Sequence, residues 1–341
     1  MKEKIQKIFS DELSMTAKLS DLVKLHGDAS YRIYYRARLT DGSTLIIMQM
    51  PEGISSASEE ITNSGIVVKE LPFIDVSKYL SSIGVNVPKI FRYSDADKMM
   101  ILEDLGDELL ASYLQKSEPE EAMAMYKNAV ALLCSLQKKS AEMPDKSCIA
   151  FRRSFDSNLL NWEFDHFLEY AIQKRGIEVD PADAEMFRRE TRTITDKILK
   201  MSYGFTLRDY QSRNIIIRDD TMHLIDFQDA LMGPSLYDLV SLTRDSYVKL
   251  SDEELEELIA YYAEKSHRDI GEVIKEFNMI TVQRKMKDAG RFVYIDQVKK
   301  NPGYLKFIPN SANYVAKALL QMPEHADLAR FIEKYLPELK G

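Results

Sequence analysis

The run from Phe205 to Asp229 constrains this chain more than any other stretch. An apolar segment, Phe205-Thr206-Leu207, feeds Asp209 into a polar turn, and Asn214 follows to open the β-rich run Ile215-Ile216-Ile217. A third short run, Leu224-Ile225, ends at Asp226, with Phe227-Gln228-Asp229 behind it. Each residue alone means little, since an Asp in a turn ordinarily makes an Asx hydrogen bond. Acid, amide and acid on strand, loop, strand, turn and strand are together the layout of a phosphoryl-transfer site. One carboxylate orients and deprotonates a hydroxyl, while the amide and the second carboxylate hold magnesium on nucleotide phosphates. The spacing therefore predicts Asp209 as the catalytic carboxylate and Asn214 and Asp226 as Mg²⁺ ligands; in a kinase reading of the stretch, Arg213 is expected near the transferring group.

Further pieces of sequence carry a resemblance. They are Arg208-Asp209-Tyr210, Ser212-Arg213-Asn214, Asp226-Phe227-Gln228-Asp229-Ala230, Gly233-Pro234 and Tyr237-Asp238-Leu239-Val240-Ser241-Leu242, with Asp28-Ala29-Ser30 far upstream. These segments resemble the protein-kinase-like fold in its small-molecule branch, the aminoglycoside phosphotransferase superfamily. They are most similar to the bacterial anomeric sugar kinases of cell-wall recycling, which phosphorylate N-acetylmuramate and N-acetylglucosamine. The resemblance implies an α+β class and a two-lobed architecture: a five-stranded antiparallel N-lobe sheet with one packed helix over residues 1–103, and a mostly helical C-lobe over residues 104–341. The hinge falls at about 103–107, where backbone groups of Glu103 and Leu105 would read the adenine. It also implies that Asp238 is a buried carboxylate supporting the loop backbone. Two positions depart from the family pattern, Leu207 where His is usual and Gln211 where His is common. The first His braces the loop in kinases and transfers no proton, so Leu207 is expected to leave the chemistry intact.

Period-two alternation over Leu22–Leu25, Tyr31–Leu39 and Leu45–Met50 reads as three antiparallel strands, with a hairpin signal at Asp41-Gly42. Two more strands follow at Val87–Phe91 and Met99–Leu102, after a helix that Gly84 ends. Asp28, Ala29 and Ser30 sit between the first two strands, where small residues would let backbone N–H groups cover phosphate; an ordinary β-turn reads the same way in isolation. The third strand, Ile47-Met48-Gln49-Met50, lacks the lysine that grips the α- and β-phosphates in a typical kinase. Either the chain is a weak or dead kinase, or Arg32 or Arg36 on the preceding strand supplies the cation. Residues 54–68, rich in Ser, Thr and Asn, read as a loop over the mouth of the site.

Beyond residue 107 the pattern is helical. The segment Asn158–Ile172 puts Leu160, Phe164, Phe167 and Ala171 on an apolar face, with Trp162, Glu163, Asp165 and His166 flanking it; Trp162 reads as packing more readily than as a sugar platform. Residues 281–306 carry seven basic side chains, among them Arg284, Lys285 and Lys287, against two acidic ones, and read as a solvated face. The short connection after Asp226, without Ala-Pro-Glu, leaves no dock for a peptide and favours a small acceptor.

Composition narrows the partners. With 46 basic and 54 acidic residues the net charge is −8, which argues against a nucleic-acid partner. No apolar run approaches the roughly eighteen residues of a membrane span, and Met1-Lys2-Glu3-Lys4 lacks the apolar core of a signal peptide, so a cytoplasmic protein is expected. The sequence reading is thus an enzyme that moves the γ-phosphoryl group of ATP, with Mg²⁺, onto the anomeric hydroxyl of an N-acetyl amino sugar. Tyr210, Gln211, Gln228 and Asp229 would surround the acceptor. Kinases for choline, homoserine or an aminoglycoside are alternatives, as is a nucleotide-binding scaffold without turnover.

Overall fold

The computed structural model describes residues 1–25, 32–50 and 70–339. Its first helix, α1 (Lys2–Asp11), presents Ile5, Ile8 and Phe9 as a narrow apolar stripe. Three antiparallel strands follow, β1 (Leu19–Lys24), β2 (Ile33–Leu39) and β3 (Thr44–Gln49). The β2–β3 turn is made by Gly42 at φ +86° and by Asp41, whose Oδ1 accepts hydrogen bonds from the amide (3.0 Å) and hydroxyl (2.6 Å) of Ser43. Then come α2 (Pro72–Ser82), closed by Gly84 at φ +70°, β4 (Ile90–Ser94) and β5 (Met99–Glu103).

The sheet order is β1-β2-β3-β5-β4, antiparallel throughout. Because side chains alternate across a pleated strand, each strand serves two cores at once. Ala37, Leu39, Leu45, Ile47, Met99 and Ile101 pack on α1, whereas Met48, Met100 and Leu102 face the other way, onto α2 and the main core.

After β5 the chain becomes helical: α3 (Leu110–Lys116), α4 (Pro119–Glu142), α5 (Ser157–His166) and α6 (Pro181–Ile198). Two small strand pairs follow, β6 (Tyr203–Thr206) with β9 (Leu231–Pro234) and, between them in sequence, β7 (Ile215–Arg218) with β8 (Thr221–Leu224). The chain closes with α7 (Tyr237–Thr243), α8 (Asp252–Ser266), α9 (Ile270–Lys299), α10 (Ile308–Leu320) and α11 (Ala326–Tyr335). The expected capping signals are present: Asp180 accepts from the Ala182 amide, and Ser251 and Glu254 make a reciprocal capping box.

Three local expectations are corrected. The Asn158–Ile172 segment is not one α-helix, since α5 passes into a π-turn over Phe167–Ile172. There α9 crosses so closely that a Cβ on Gly290 would lie 2.9 Å from the Phe167 Cα. Glu163, expected on the polar flank, is fully buried. Most consequentially, α9 is no solvated face: Arg284 and Lys285 are each 1% exposed. Helix α9 packs against α5, α7 and α10, so its polar side chains meet protein where a surface helix would meet water. Among the described residues no helix is long and apolar enough to cross a membrane.

Candidate active site

The loop from Leu207 to Asn214 leaves β6 under backbone strain, with Arg208 at φ +70°, a region few non-glycine residues occupy. Buried carboxylates hold it at both ends. Asp238, on α7, accepts from the amides of Leu207 (2.7 Å) and Arg208 (3.0 Å). Asp245, just past α7, accepts from the Ser212 amide (2.8 Å) and hydroxyl (2.5 Å). The Arg208 side chain turns inward to the buried Glu163, with Nη2 3.0 Å from Oε1. These bonds offset the cost of the left-handed residue and fix where Asp209 points.

Asp209 projects into the cleft, its side chain one-third exposed (33%). Behind it, Arg284 donates from Nη1 to the Arg208 carbonyl (2.6 Å) and from Nη2 to Asp209 Oδ1 (3.2 Å). Burial works against the Asp209 charge, but Lys287, Arg284 and Arg208 outweigh it and hold the carboxyl below the usual range. In return Asp209 keeps the Lys287 amine above its ordinary range despite burial. Asn214 closes the loop by donating from Nδ2 to the Asp209 carbonyl (2.8 Å), which leaves its side-chain oxygen to accept or ligate.

Asp226 also has a left-handed backbone, φ +60°. Its neighbour Phe227 is buried against Phe73 of α2, ring centroids 4.9 Å apart, anchoring the turn to the sheet half. Asp226 is open to the cleft, yet desolvation by the protein packed around it first, and then the nearby negative charges of Asp209 and Asp229, push its carboxyl up to about 6. Such convergent carboxylates gain from a divalent cation, and an amide oxygen with one carboxylate is the partial donor set Mg²⁺ accepts when phosphates complete its shell. Among the described residues no three His, Cys, Asp or Glu side chains form a metal site without such help.

Several predicted residues have other employment. Tyr210 is buried (1% exposed) and its hydroxyl donates to the Ala129 carbonyl on α4 (2.9 Å), so it is core and does not line the acceptor pocket. Gln228 is buried too, bridging Asp226 (2.9 Å) and Asp229 (3.0 Å) through Nε2; it braces the two carboxylates. The half-buried Trp162 stacks on His166, which packs with Tyr170 and Tyr294, so that it belongs to an aromatic cluster between α5 and α9. Arg36 is committed to the connection after β5, making four hydrogen bonds of 2.6–3.0 Å to Asp104 and Asp107.

The remaining candidates lie near the cleft or at its edge. Arg32 is close enough to Asp226 to favour its charged form. Arg213 lies over the Tyr247 ring at 3.8 Å, with Phe307 at 6.0 Å. The half-buried Gln211 and Asp229 adjoin Asp209 and Asp226 in the chain. Glu103 takes an ion pair from Arg218 (2.9 Å), and the Leu105 side chain is buried, leaving backbone as the part of Leu105 available to a base. Asp28, Ala29 and Ser30, and the 54–68 loop, lie outside the described residues. Sequence reasoning missed Arg284, Lys287, Glu163 and Asp245. The one available signal was the crowding of basic residues in α9, which no spacing rule ties to a loop some 75 positions earlier.

Sheet, connection and helical body, with an acid-amide loop facing a second acid on a left-handed turn, define a kinase-like phosphotransferase. Comparison with known proteins makes this more specific. Residues 21–273 match the phosphotransferase enzyme family, and the chain belongs to it. It is a small-molecule kinase with a hydroxyl acceptor. An N-acetylmuramate/N-acetylglucosamine kinase of Neisseria meningitidis serogroup B is 28% identical over 320 residues, 90% of this chain and 88% of that one. A kinase of the same name from Pseudomonas aeruginosa is 25% identical over 321 residues, 92% of this chain and 88% of its own. Among solved structures, a choline kinase of Streptococcus pneumoniae superposes with a TM-score of 0.62 at 15% identity, covering 92% of this chain and 99% of that one. That last likeness speaks for the fold alone.

Proposed function

We propose that the protein transfers the γ-phosphoryl group of ATP to the anomeric hydroxyl of an N-acetylated amino sugar. The observation that carries the chemistry is Asp209, kept ionised by Lys287 and Arg284 and close to a second carboxylate, Asp226, whose charge its acidic neighbours disfavour. Asp209 accepts a hydrogen bond from the acceptor hydroxyl and takes its proton as the oxygen bonds to the γ-phosphorus. The bond from that phosphorus to the bridging oxygen breaks, and ADP leaves. An anomeric hydroxyl is more acidic than an ordinary alcohol, so a carboxylate of low pKa suffices late in a loose transition state. Asn214 and Asp226 would hold Mg²⁺, which neutralises phosphate charge; Arg213 borders the acceptor side. Residues 103–107 serve as the hinge between lobes, with Glu103 and Leu105 offering backbone to the adenine.

Amino-sugar specificity is supported by the names of the two curated relatives. Electrostatics adds an argument against a polycationic acceptor, since the cations Lys287, Arg284 and Arg208 act on Asp209 more strongly than the acidic Asp288. The deciding experiment incubates the enzyme with Mg·ATP and N-acetylglucosamine or N-acetylmuramate and examines the product by phosphorus and proton NMR. A non-reducing, acid-labile 1-phosphate is expected. A 6-phosphate, or turnover confined to amines of the kanamycin type, overturns the acceptor assignment and spares the kinase.

Arg32 takes the place of the missing strand lysine in this reading, since Arg36 is consumed by Asp104 and Asp107. Arg32→Ala is accordingly expected to raise the KM for ATP by about tenfold, the loss of one charge-assisted contact, and to lower kcat with it. Arg36→Ala should chiefly lower thermal stability. Steady-state kinetics and melting curves on both variants check this; unchanged ATP kinetics in Arg32→Ala transfers the role to another cation.

A further inference from the structure

Beyond α7 lies a cavity of about 100 Å³, lined by Arg244, Lys249, Leu250, Asp252, Asn310, Asn313, Tyr314 and Lys317. None of these residues belongs to the site described above. Arg244 is the anomaly. It is 7% exposed, its Nε is buried with no hydrogen-bond partner among the described residues, and its guanidinium lies over the rings of Tyr314 (4.8 Å) and Phe277 (5.8 Å). The Tyr314 hydroxyl is likewise buried and unpartnered. Burial pulls the Arg244 guanidinium below the usual arginine range.

Burying a cation without a carboxylate is costly, and a protein ordinarily pairs it. The obvious partners here are taken. Asp245, next in the chain, turns its carboxylate to Ser212 and to the Tyr247 amide. Asp252 receives two 2.7 Å hydrogen bonds from Lys317, which holds its carboxyl below the usual range. With that pair neutral, Arg244 and Lys249 leave the cavity two positive charges, with Asn310 and Asn313 beside them as amide donors. The space of about 100 Å³ is enough for one tetrahedral oxyanion.

We infer that the Arg244–Lys249–Tyr314 cavity is a second ligand site, separate from the catalytic cleft, that binds a small oxyanion of the phosphate class. Arg244 and Lys249 supply the charge, and the Tyr314 hydroxyl gains the acceptor it lacks. The site stands whether or not the acceptor of the reaction is an amino sugar.

The test fills the catalytic cleft first, with Mg²⁺ and a non-hydrolysable ATP analogue. The enzyme is then titrated with inorganic phosphate against chloride at equal ionic strength, by calorimetry and by melting temperature. Saturable binding of one phosphate is expected. Lys249→Gln should weaken it by about fivefold and Arg244→Gln by more than about tenfold, losses in line with charge-assisted contacts. Should Arg244→Gln fail to fold, Tyr314→Phe keeps the question open to decision, because it loses no hydrogen bond in the free protein. It should melt like wild type in chloride yet bind phosphate several-fold more weakly. A parallel titration with N-acetylglucosamine 1-phosphate separates the sources: displacement of phosphate assigns the site to phosphomonoesters, and no displacement assigns it to free phosphate. Phosphate binding no tighter than chloride overturns the inference. So does phosphate binding that Lys249→Gln and Tyr314→Phe leave unchanged.

Discussion

Asp209→Asn is expected to lower turnover by about 10²–10⁴-fold, the usual contribution of a general base, while nucleotide affinity stays within a few-fold. The substitution is nearly isosteric, and an asparagine oxygen can still accept from Arg284 Nη2, so the Arg208–Asn214 loop should keep its shape. What disappears is the negative charge and the proton acceptor, both of which face the hydroxyl. Arg284→Met is the informative companion. It removes the donor to the Arg208 carbonyl as well as the partner of Asp209, inside a helix where the guanidinium is 1% exposed. Removing a buried guanidinium that also bonds the Arg208 carbonyl leaves that carbonyl unpaired, so this variant should lose thermal stability along with turnover, whereas Asp209→Asn, which keeps the hydrogen bond and loses only the charge, should lose less stability. Single-turnover kinetics and calorimetric melting separate the two; retained activity in Asp209→Asn removes Asp209 from the mechanism.

Asp226→Ala should abolish turnover, by more than about 10³-fold, at every Mg²⁺ concentration. Its carboxyl stands at about 6 because the surrounding protein and the nearby Asp209 and Asp229 disfavour its charge, a penalty a bound divalent cation removes. Asn214→Ala is milder. The amide contributes one neutral oxygen, and its Nδ2 bond to the Asp209 carbonyl is a single neutral contact, so raised Mg²⁺ or Mn²⁺ should restore part of the activity. Metal titrations of both variants check the assignment. Normal metal dependence in both places the metal elsewhere.

The sheet half was legible because a half-buried strand records its surroundings at period two. The alternation over Tyr31–Leu39 and Leu45–Met50 predicts strands, and the strands run Ile33–Leu39 and Thr44–Gln49. The contact of Asp209 with Asn214 was legible for a different reason: residues five apart on one turn cannot separate far, whatever the rest of the chain does. Tyr210 and Gln228 sit in the same stretch, yet their roles were misread. Spacing places a backbone, and the direction of a side chain depends on neighbours such as Ala129 and Asp229 that come from other elements or point by packing.

By itself, then, the sequence determined the antiparallel sheet, the helical remainder and the acid-amide-acid order of the cleft, all of them consequences of local period and local spacing. Tertiary structure alone decided which charges surround Asp209. A period of apolar residues at Val282, Met286, Ala289 and Val293 shows which face of α9 must leave water; it cannot show that the opposite face leaves water too. Once α9 lies among α5, α7 and α10, its polar positions need protein partners to repay their desolvation. Arg284 finds Asp209 and the Arg208 carbonyl, and Lys285 finds Asp288 and Ser246. That exchange of water for distant partners, invisible in any window of the chain, is what turns a run of basic residues into the electrostatic support of the site.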